Sequence, residues 1–337
     1  MAVVQCMVAE APTRLIRKTL KKAHGKIPRV PATERRARIF PCAFFKVWQH
    51  FLIMAIIIKT KEEIAVMREC GRRLAAILRE LTEAAKPGVT AADLDRFAEE
   101  RIISSGGIPV FKGYRTRDDK RPYPGSICIS VNDEVVHGVP AREKILKEGD
   151  VVGIDIGMRW GRRQETPHHP DSSGGTGQAR DRRHVRDGGL VTDMAVTVGI
   201  GKISEEAHRL IRVTQEALEI GISVVKIGAH VGDIGHAVAK HLRKHNLGIV
   251  RDLAGHGVGR ELHEEPLIPN YGSRGSGAEL KEGMAIAIEP MAMLGGEKLI
   301  LDDDQWTYRT ADNSLAAHFE HSVAVTKEGA EVLTQMP

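Results

Sequence analysis

The sequence predicts an internally duplicated α+β domain, on three observations: a strand-and-turn segment that recurs, a helix-start segment that recurs ahead of it, and carboxylates in matched places within apolar runs. Leu146-Lys-Glu-Gly-Asp-Val-Val-Gly-Ile-Asp155 returns 134 positions later as Leu280-Lys-Glu-Gly-Met-Ala-Ile-Ala-Ile-Glu289. Upstream, Lys86-Pro-Gly-Val-Thr-Ala-Ala-Asp93 parallels Lys226-Ile-Gly-Ala-His-Val-Gly-Asp233 at an offset of 140. Downstream, Asp193-Met-Ala-Val-Thr-Val resembles Glu320-His-Ser-Val-Ala-Val. Three matches in the same order imply two halves with the same succession of helices, turns and strands.

Residues 1–53 stand apart from that pattern. They carry five Lys and six Arg against Glu10 and Glu34, a balance of +9 in a chain of 337 residues whose net charge is +5. They show no sustained hydrophobic period and are expected to form a basic, disordered extension. Three readings of this segment are open: sequence upstream of a true start at Met54, which is the one adopted, an Arg-rich transit peptide, or a basic arm touching ribosomal RNA. A nucleic-acid-binding reading of the whole chain would rest on this segment alone, so no specific nucleic-acid partner is expected. Its longest apolar run, Leu52–Ile58, is far short of the roughly 20 residues that span a bilayer. No membrane partner is expected, and the chain is read as cytoplasmic and monomeric.

From Met54 onward the pattern becomes regular. Met54–Ile58 is a short strand-like run, and Thr60 with Glu63 forms a capping box that opens a long helix. The four cysteines, Cys6, Cys42, Cys70 and Cys128, include no Cys-x-x-Cys pair. That argues against a zinc finger and a disulfide framework, and fits a reducing compartment. Residues 162–188 break the pattern with 27 residues that hold a single large aliphatic, Val185. This stretch is expected as a solvated insertion at a hairpin tip. Joining Gly161 to Gly189 restores a plain hairpin. His168, His169 and His184 within the insertion have no packed scaffold to make them ligands.

The repeat places a carboxylate inside an apolar strand of each half, Asp155 and Glu289, and a second on the strand that follows, Asp193 and Glu320. Buried carboxylates are costly unless paired or bound to cations, and four in matched positions point to a metal site. His256 joins them because the glycines around it, in Ala-Gly-His256-Gly-Val-Gly, allow close backbone approach. His241, His245 and His318 are read as structural.

The segments Val-Val-His137-Gly-Val-Pro, Gly-His256-Gly-Val-Gly-Arg-Glu-Leu-His263-Glu-Glu-Pro, Ile-Glu289-Pro-Met and Phe-Glu320-His resemble the motif set of type I methionine aminopeptidases. The resemblance runs from about Met54 to the end of the chain, outside 162–188, so residues 54–337 are read as a metallo-aminopeptidase domain. It implies the pita-bread fold, two pseudo-twofold halves with central curved antiparallel sheets covered by helices. It implies two divalent metal ions, Co, Mn, Fe or Zn, with Asp155 on one, Asp193 and Glu320 bridging, and His256 and Glu289 on the other. Glu289 becomes the proton shuttle, His263 the donor to the substrate carbonyl, and His137 the contact to the scissile amide. Tyr114, Tyr123, Cys128, Leu262 and Trp306, with Phe111 as a weaker candidate, match positions around the methionine side chain. The implied reaction is removal of the initiator methionine from nascent polypeptides, which suggests proximity to the ribosome. Two alternatives are carried: a proline-specific aminopeptidase or dipeptidase of the same superfamily, and a non-catalytic binding relative.

Overall fold

The computed structural model describes residues 55–116, 119, 121–161 and 188–336. The expectations for residues 1–53, for a start at Met54 and for the insertion, apart from Gly188, fall outside the described residues.

The first helix among the described residues, α1 (Lys61–Ala84), begins as expected. Thr60 accepts from the Glu63 amide at 3.2 Å while the Glu63 carboxylate accepts from the Thr60 amide at 2.9 Å. Ile64, Met67, Leu74, Leu78 and Leu81 recur at helical spacing and are buried, so one stripe of α1 faces the core. Truncating one of them, as in Leu78→Ala, would cost about 2–5 kcal/mol. The strand-like run ahead of α1 does not form a strand. Residues 55–60 have no regular structure, and the Lys59 amide donates to Gly283 O at 2.8 Å.

After α1 come α2 (Ala91–Ser104), β1 (Ile108–Pro109), β2 (Ile127–Val131), β3 (Glu134–Val136), β4 (Val151–Trp160) and β5 (Leu190–Gly199). The second half repeats the order with α3 (Glu205–Ser223), α4 (Val231–Lys244), β6 (Gly248–Ile249), β7 (Ala254–Gly257), β8 (Glu264–Pro269) and β9 (Ala285–Ile288). The remaining strands are β10 (Met291–Met293), β11 (Leu299–Leu301), β12 (Tyr308–Thr310), β13 (Ala316–His318), β14 (Glu320–Thr326) and β15 (Gly329–Val332).

The duplication is visible in backbone contacts at the offsets read from the sequence. Thr90 bridges Ile145, and His230 bridges Glu279. Leu146 N donates to Val89 O at 2.9 Å, and Leu280 N donates to Ala229 O at 2.7 Å. Gly88 N reaches Leu146 O, and Gly228 N reaches Leu280 O. Each half also has its own apolar core. One joins α1 and α2 to β2 and β4 through Leu78, Leu94, Ile129 and Ile154. The other joins α3 and α4 to β9 and β14 through Leu210, Val238, Ile286 and Val323.

Among the described residues a nine-stranded sheet runs β1-β4-β5-β14-β9-β7-β8, with β2 also on β4 and β15 also on β14, and its pairings are antiparallel. Two three-stranded sheets, β13-β10-β6 and β11-β12-β3, accompany it. The two halves therefore meet at the β5–β14 pair. The β4–β5 ladder is continuous from Val151↔Gly199 to Trp160↔Leu190, so it closes right at the insertion. No helix among the described residues is long and apolar enough to cross a membrane.

Candidate active site

Register sets the positions of the acidic residues. Asp155 on β4 stands opposite Ala195 on β5, and Ala195 stands opposite Glu320 on β14. Opposed residues of an antiparallel pair share a face, so both carboxylates project to the same side. Asp193 lies two residues before Ala195 and therefore shares that face. Cys128 continues the row across β2, opposite Asp155. Glu289 follows the last β9 residue, Ile288, which pairs with His321, and so reaches the row beside Glu320.

His256 enters from the other side, at a register shift between β7 and β8. Its flanking glycines are required by close approach. A Cβ at Gly255 would lie 2.3 Å from Ala287 O, and one at Gly257 would lie 2.2 Å from Glu265 O. The His256 Nδ1 sits 3.0 Å from Gly257 O. A ring that donates there keeps Nε2 bare as a potential ligand. That Nε2 is 3.7 Å from Glu289 Oε1.

Asp193, His256 and Glu320 offer ligand atoms within 4.8 Å of one another. Asp155 Oδ1, Asp193 Oδ1 and Glu320 Oε1 are buried without a hydrogen-bond partner. Burial, with the neighbouring carboxylates adding to it, raises Asp193 and Glu320 well above the usual carboxylate range. Burial likewise pushes Asp155 up to about 7. A group of buried carboxylates with orphaned oxygens and one imidazole is costly by itself and suited to cations. The donor set therefore fits divalent metal ions.

Three more side chains complete the polar wall. His263 lies just before β8, its ring 4.3 Å from that of His256 by centroids. Tyr114 Oη is 2.6 Å from His263 Nδ1. Burial raises the Tyr114 hydroxyl and lowers His263 well below its ordinary value, with His256 and His137 adding to the latter. A protonated hydroxyl can donate to the bare nitrogen of a neutral imidazole, and that tautomer of His263 would carry its ring proton on Nε2. His137 follows β3 at φ 57° and packs edge-on to Tyr308. Burial lowers its ring too.

The turn that carries His263 is held from behind. Glu264 Oε1 accepts from the amides of Arg260 and Glu261, at 2.6 and 2.9 Å. Its other oxygen takes a 2.5 Å bond from Lys59, with both side chains 1% exposed. Arg260 in turn pairs with Glu63 on α1. This network, which was not legible in the sequence, is what the irregular segment before α1 contributes.

One cavity is lined by the polar side chains Asp155, Asp193, His256, Glu289, Glu320, His137 and His263, and by the apolar and aromatic side chains Phe111, Tyr114, Tyr123, Cys128, Leu262 and Trp306. Every candidate site residue named from the sequence lies on it. Tyr123 and Trp306 meet edge to face at 5.3 Å, a favoured aromatic geometry. His318, read from the sequence as structural, stands beside Glu289. Its backbone is tied to Thr197 Oγ1 by bonds of 2.7 and 2.9 Å, and its Nε2 lies 3.4 Å from Glu289 Oε2. The signal was its place two residues ahead of Glu320, but the break between β13 and β14 at Phe319 hides that from a period-two reading.

The chain matches the profile of metallopeptidase family M24 over residues 65–164 and 184–327. It is 41% identical over 279 residues to methionine aminopeptidase of Clostridium acetobutylicum, covering 83% of this chain and 98% of that one. It resembles the crystal structure of methionine aminopeptidase from Thermotoga maritima at a TM-score of 0.71 and 39% identity, over 83% of this chain and 100% of that one. The prolidase from Pyrococcus horikoshii shares the fold, at a TM-score of 0.59 and 19% identity over 83% of this chain and 64% of that one.

Proposed function

The chain belongs to metallopeptidase family M24, in its methionine aminopeptidase branch, and from that premise we propose how its site removes an N-terminal methionine. It is a hydrolase of the metal-dependent aminopeptidase kind, with the pita-bread fold. The observation that carries the site reading is the single cavity in which orphaned carboxylate oxygens face an apolar pocket.

Asp155, Asp193, His256, Glu289 and Glu320 would hold two divalent cations, for which Mn, Co, Fe and Zn all suit the donors. When bound, such a pair supplies a nucleophilic hydroxide at neutral pH and polarises the scissile carbonyl. Glu289 takes up the proton of the attacking water and returns it to the leaving amine. His263, neutral and carrying its proton on Nε2, donates to the carbonyl oxygen as negative charge gathers there. His137 orients the scissile amide. The methionine side chain, flexible and polarisable, lies among Tyr114, Tyr123, Cys128, Leu262 and Trp306.

We place this activity in the cytoplasm, on nascent polypeptides near the ribosome. The family resemblance supports that reading, as do Cys70 and Cys128, both buried and free.

Substrate choice tests the reading. Mn-loaded protein should release methionine from Met-Gly-Met-Met and leave Xaa-Pro peptides intact. Preference for Xaa-Pro would favour the proline-specific alternative, and failure on both would favour a non-catalytic relative.

A further inference from the structure

On the helical face of the second half, away from the active-site cavity, three ligand-bearing side chains converge. Glu216 lies on α3, His241 on α4, and His245 caps the C-terminal end of α4. The two histidines are four positions apart, so one helical turn stacks them on the same face. Their ring centroids are 4.8 Å apart. Glu216 reaches across from the neighbouring helix, with Oε2 at 3.1 Å from His241 Nε2. One ligand atom from each of the three lies within 4.8 Å of the other two. None of the three lines the active-site cavity.

We propose that Glu216, His241 and His245 form a second metal site, which takes one divalent transition ion of the zinc, nickel or copper class and staples α3 to α4. Two imidazoles and a carboxylate select those ions over magnesium or calcium. Three protein ligands leave a fourth position of a tetrahedral shell to water. Donors in such a shell sit about 3.3 Å apart for metal–donor bonds of about 2.0–2.1 Å. The Glu216–His241 pair is already near that spacing, and rotation of the His245 ring closes the remainder.

The surroundings hold the ligands in place. Arg212 donates to Glu216 Oε1 at 2.6 Å, which fixes the carboxylate and leaves Oε2 for the ion. Arg209 donates to the carbonyl of His245 at 2.8 Å, which anchors the backbone that carries the third ligand. Hydrogen bonds that orient ligands from outside are the usual companions of a metal site. A groove of about 700 Å³ runs along α4, with His241 among its lining residues, and gives solvent access to the face. An ion bound here would join two helices that pack side by side, so binding adds to folded-state stability by mass action.

The test uses the full chain with Zn²⁺ as probe, in equilibrium dialysis and thermal melts. Glu216→Gln, His241→Ala and His245→Ala should each bind one zinc ion fewer per chain than the parent at micromolar zinc. Each should also lose part of the zinc-induced rise in Tm while releasing methionine at the parental rate. With Co²⁺ in place of zinc, each should lose one set of visible d–d bands. His241→Gln, closer to histidine in volume, replaces His241→Ala if the latter does not fold. Unchanged zinc stoichiometry in all three variants would overturn the proposal. So would loss confined to the histidine variants with Glu216→Gln unaffected, since that is binding by surface imidazoles alone.

Discussion

Asp155 and Glu320 stand opposite the same residue, Ala195, on the strand between them, so two carboxylates from different halves of the duplication flank one methyl group. Ala195 is 1% exposed and lies on the face that bears Asp193. A small residue here keeps open the space in which the carboxylates can share cations.

Ala195→Leu fills that space. Overpacking of this kind costs about 1–3 kcal/mol of stability, so the variant should still fold. Displacement of the carboxylates by about 1 Å should lower kcat/KM by about 100-fold and reduce the number of metal ions retained per chain. Metal analysis beside peptide hydrolysis checks both. A Leu variant that kept full metal content and activity would show that the row is not the centre of the site.

The metal-free protein should become less stable as pH rises through neutrality. Asp155 is pushed up to about 7 by burial, and Asp193 and Glu320 further, by burial and neighbouring carboxylates. A group whose folded-state pKa is raised contributes stability that is full below its unfolded value and lost as pH climbs through the folded one. The half-buried histidines His137, His263 and His321 are lowered, by desolvation first, and work in the opposite sense. Their unfolded forms lose most of their protons as pH climbs past about 6.5, so this opposing effect fades and the carboxylates dominate as pH rises through neutrality. Thermal melts of chelator-treated protein should show Tm falling across that window, with a shallower fall in Asp155→Asn and in Mn-saturated protein. A rising Tm in the stripped protein would contradict the assignment.

Tyr114→Phe removes the hydroxyl 2.6 Å from His263 Nδ1 and with it the hydrogen bond that orients the ring. Loss of one orienting hydrogen bond of about 1–1.5 kcal/mol corresponds to roughly tenfold in kcat. KM should change little, because the aromatic ring and its pocket wall remain. His263→Ala, which removes the donor itself, should cost about 10²–10³ in kcat. Steady-state kinetics on Met-Gly-Met-Met separates the two, and equal effects would show that Tyr114 does more than orient.

Much of this arrangement was legible because the informative residues carry chemical signals of their own. Paired acids inside apolar strands, glycine-flanked His256 and the repeated Lys-Glu-Gly turns identify the duplication and the polar end of the cavity. Other features lack such a signal. Ala195 matters by its smallness, which a sequence does not mark. Lys59 and Glu264 are 205 positions apart and meet through tertiary packing alone. The run before α1 reads as a strand because of its three isoleucines, yet its described residues have no regular structure, and Lys59 just after it bonds Gly283 O and Glu264. His241 and His245 read as structural because their partner, Glu216, lies on another helix.

Deleting residues 162–187 should leave the enzyme working. The β4–β5 ladder is paired through Trp160↔Leu190, and the deletion leaves Gly161, Gly188 and Gly189 as a three-residue hairpin connection. Gly161 and Gly188 already adopt positive φ, 79° and 63°, as tight hairpin loops require. Activity and Tm of the deletion variant should match the parent. A large gain in activity would show that the insertion obstructs the cleft.

Methionine release should depend on metal held jointly by Asp155, Asp193, His256, Glu289 and Glu320. The most direct measurement is a Mn²⁺ titration of chelator-stripped protein, with bound ions and methionine released from Met-Gly-Met-Met counted in the same samples. Release should be absent without metal, rise with ion occupancy of this centre, and be lost together with the ions in Asp193→Asn. Methionine release from the stripped protein, or an Asp193→Asn variant that binds and cleaves like the parent, would contradict that dependence.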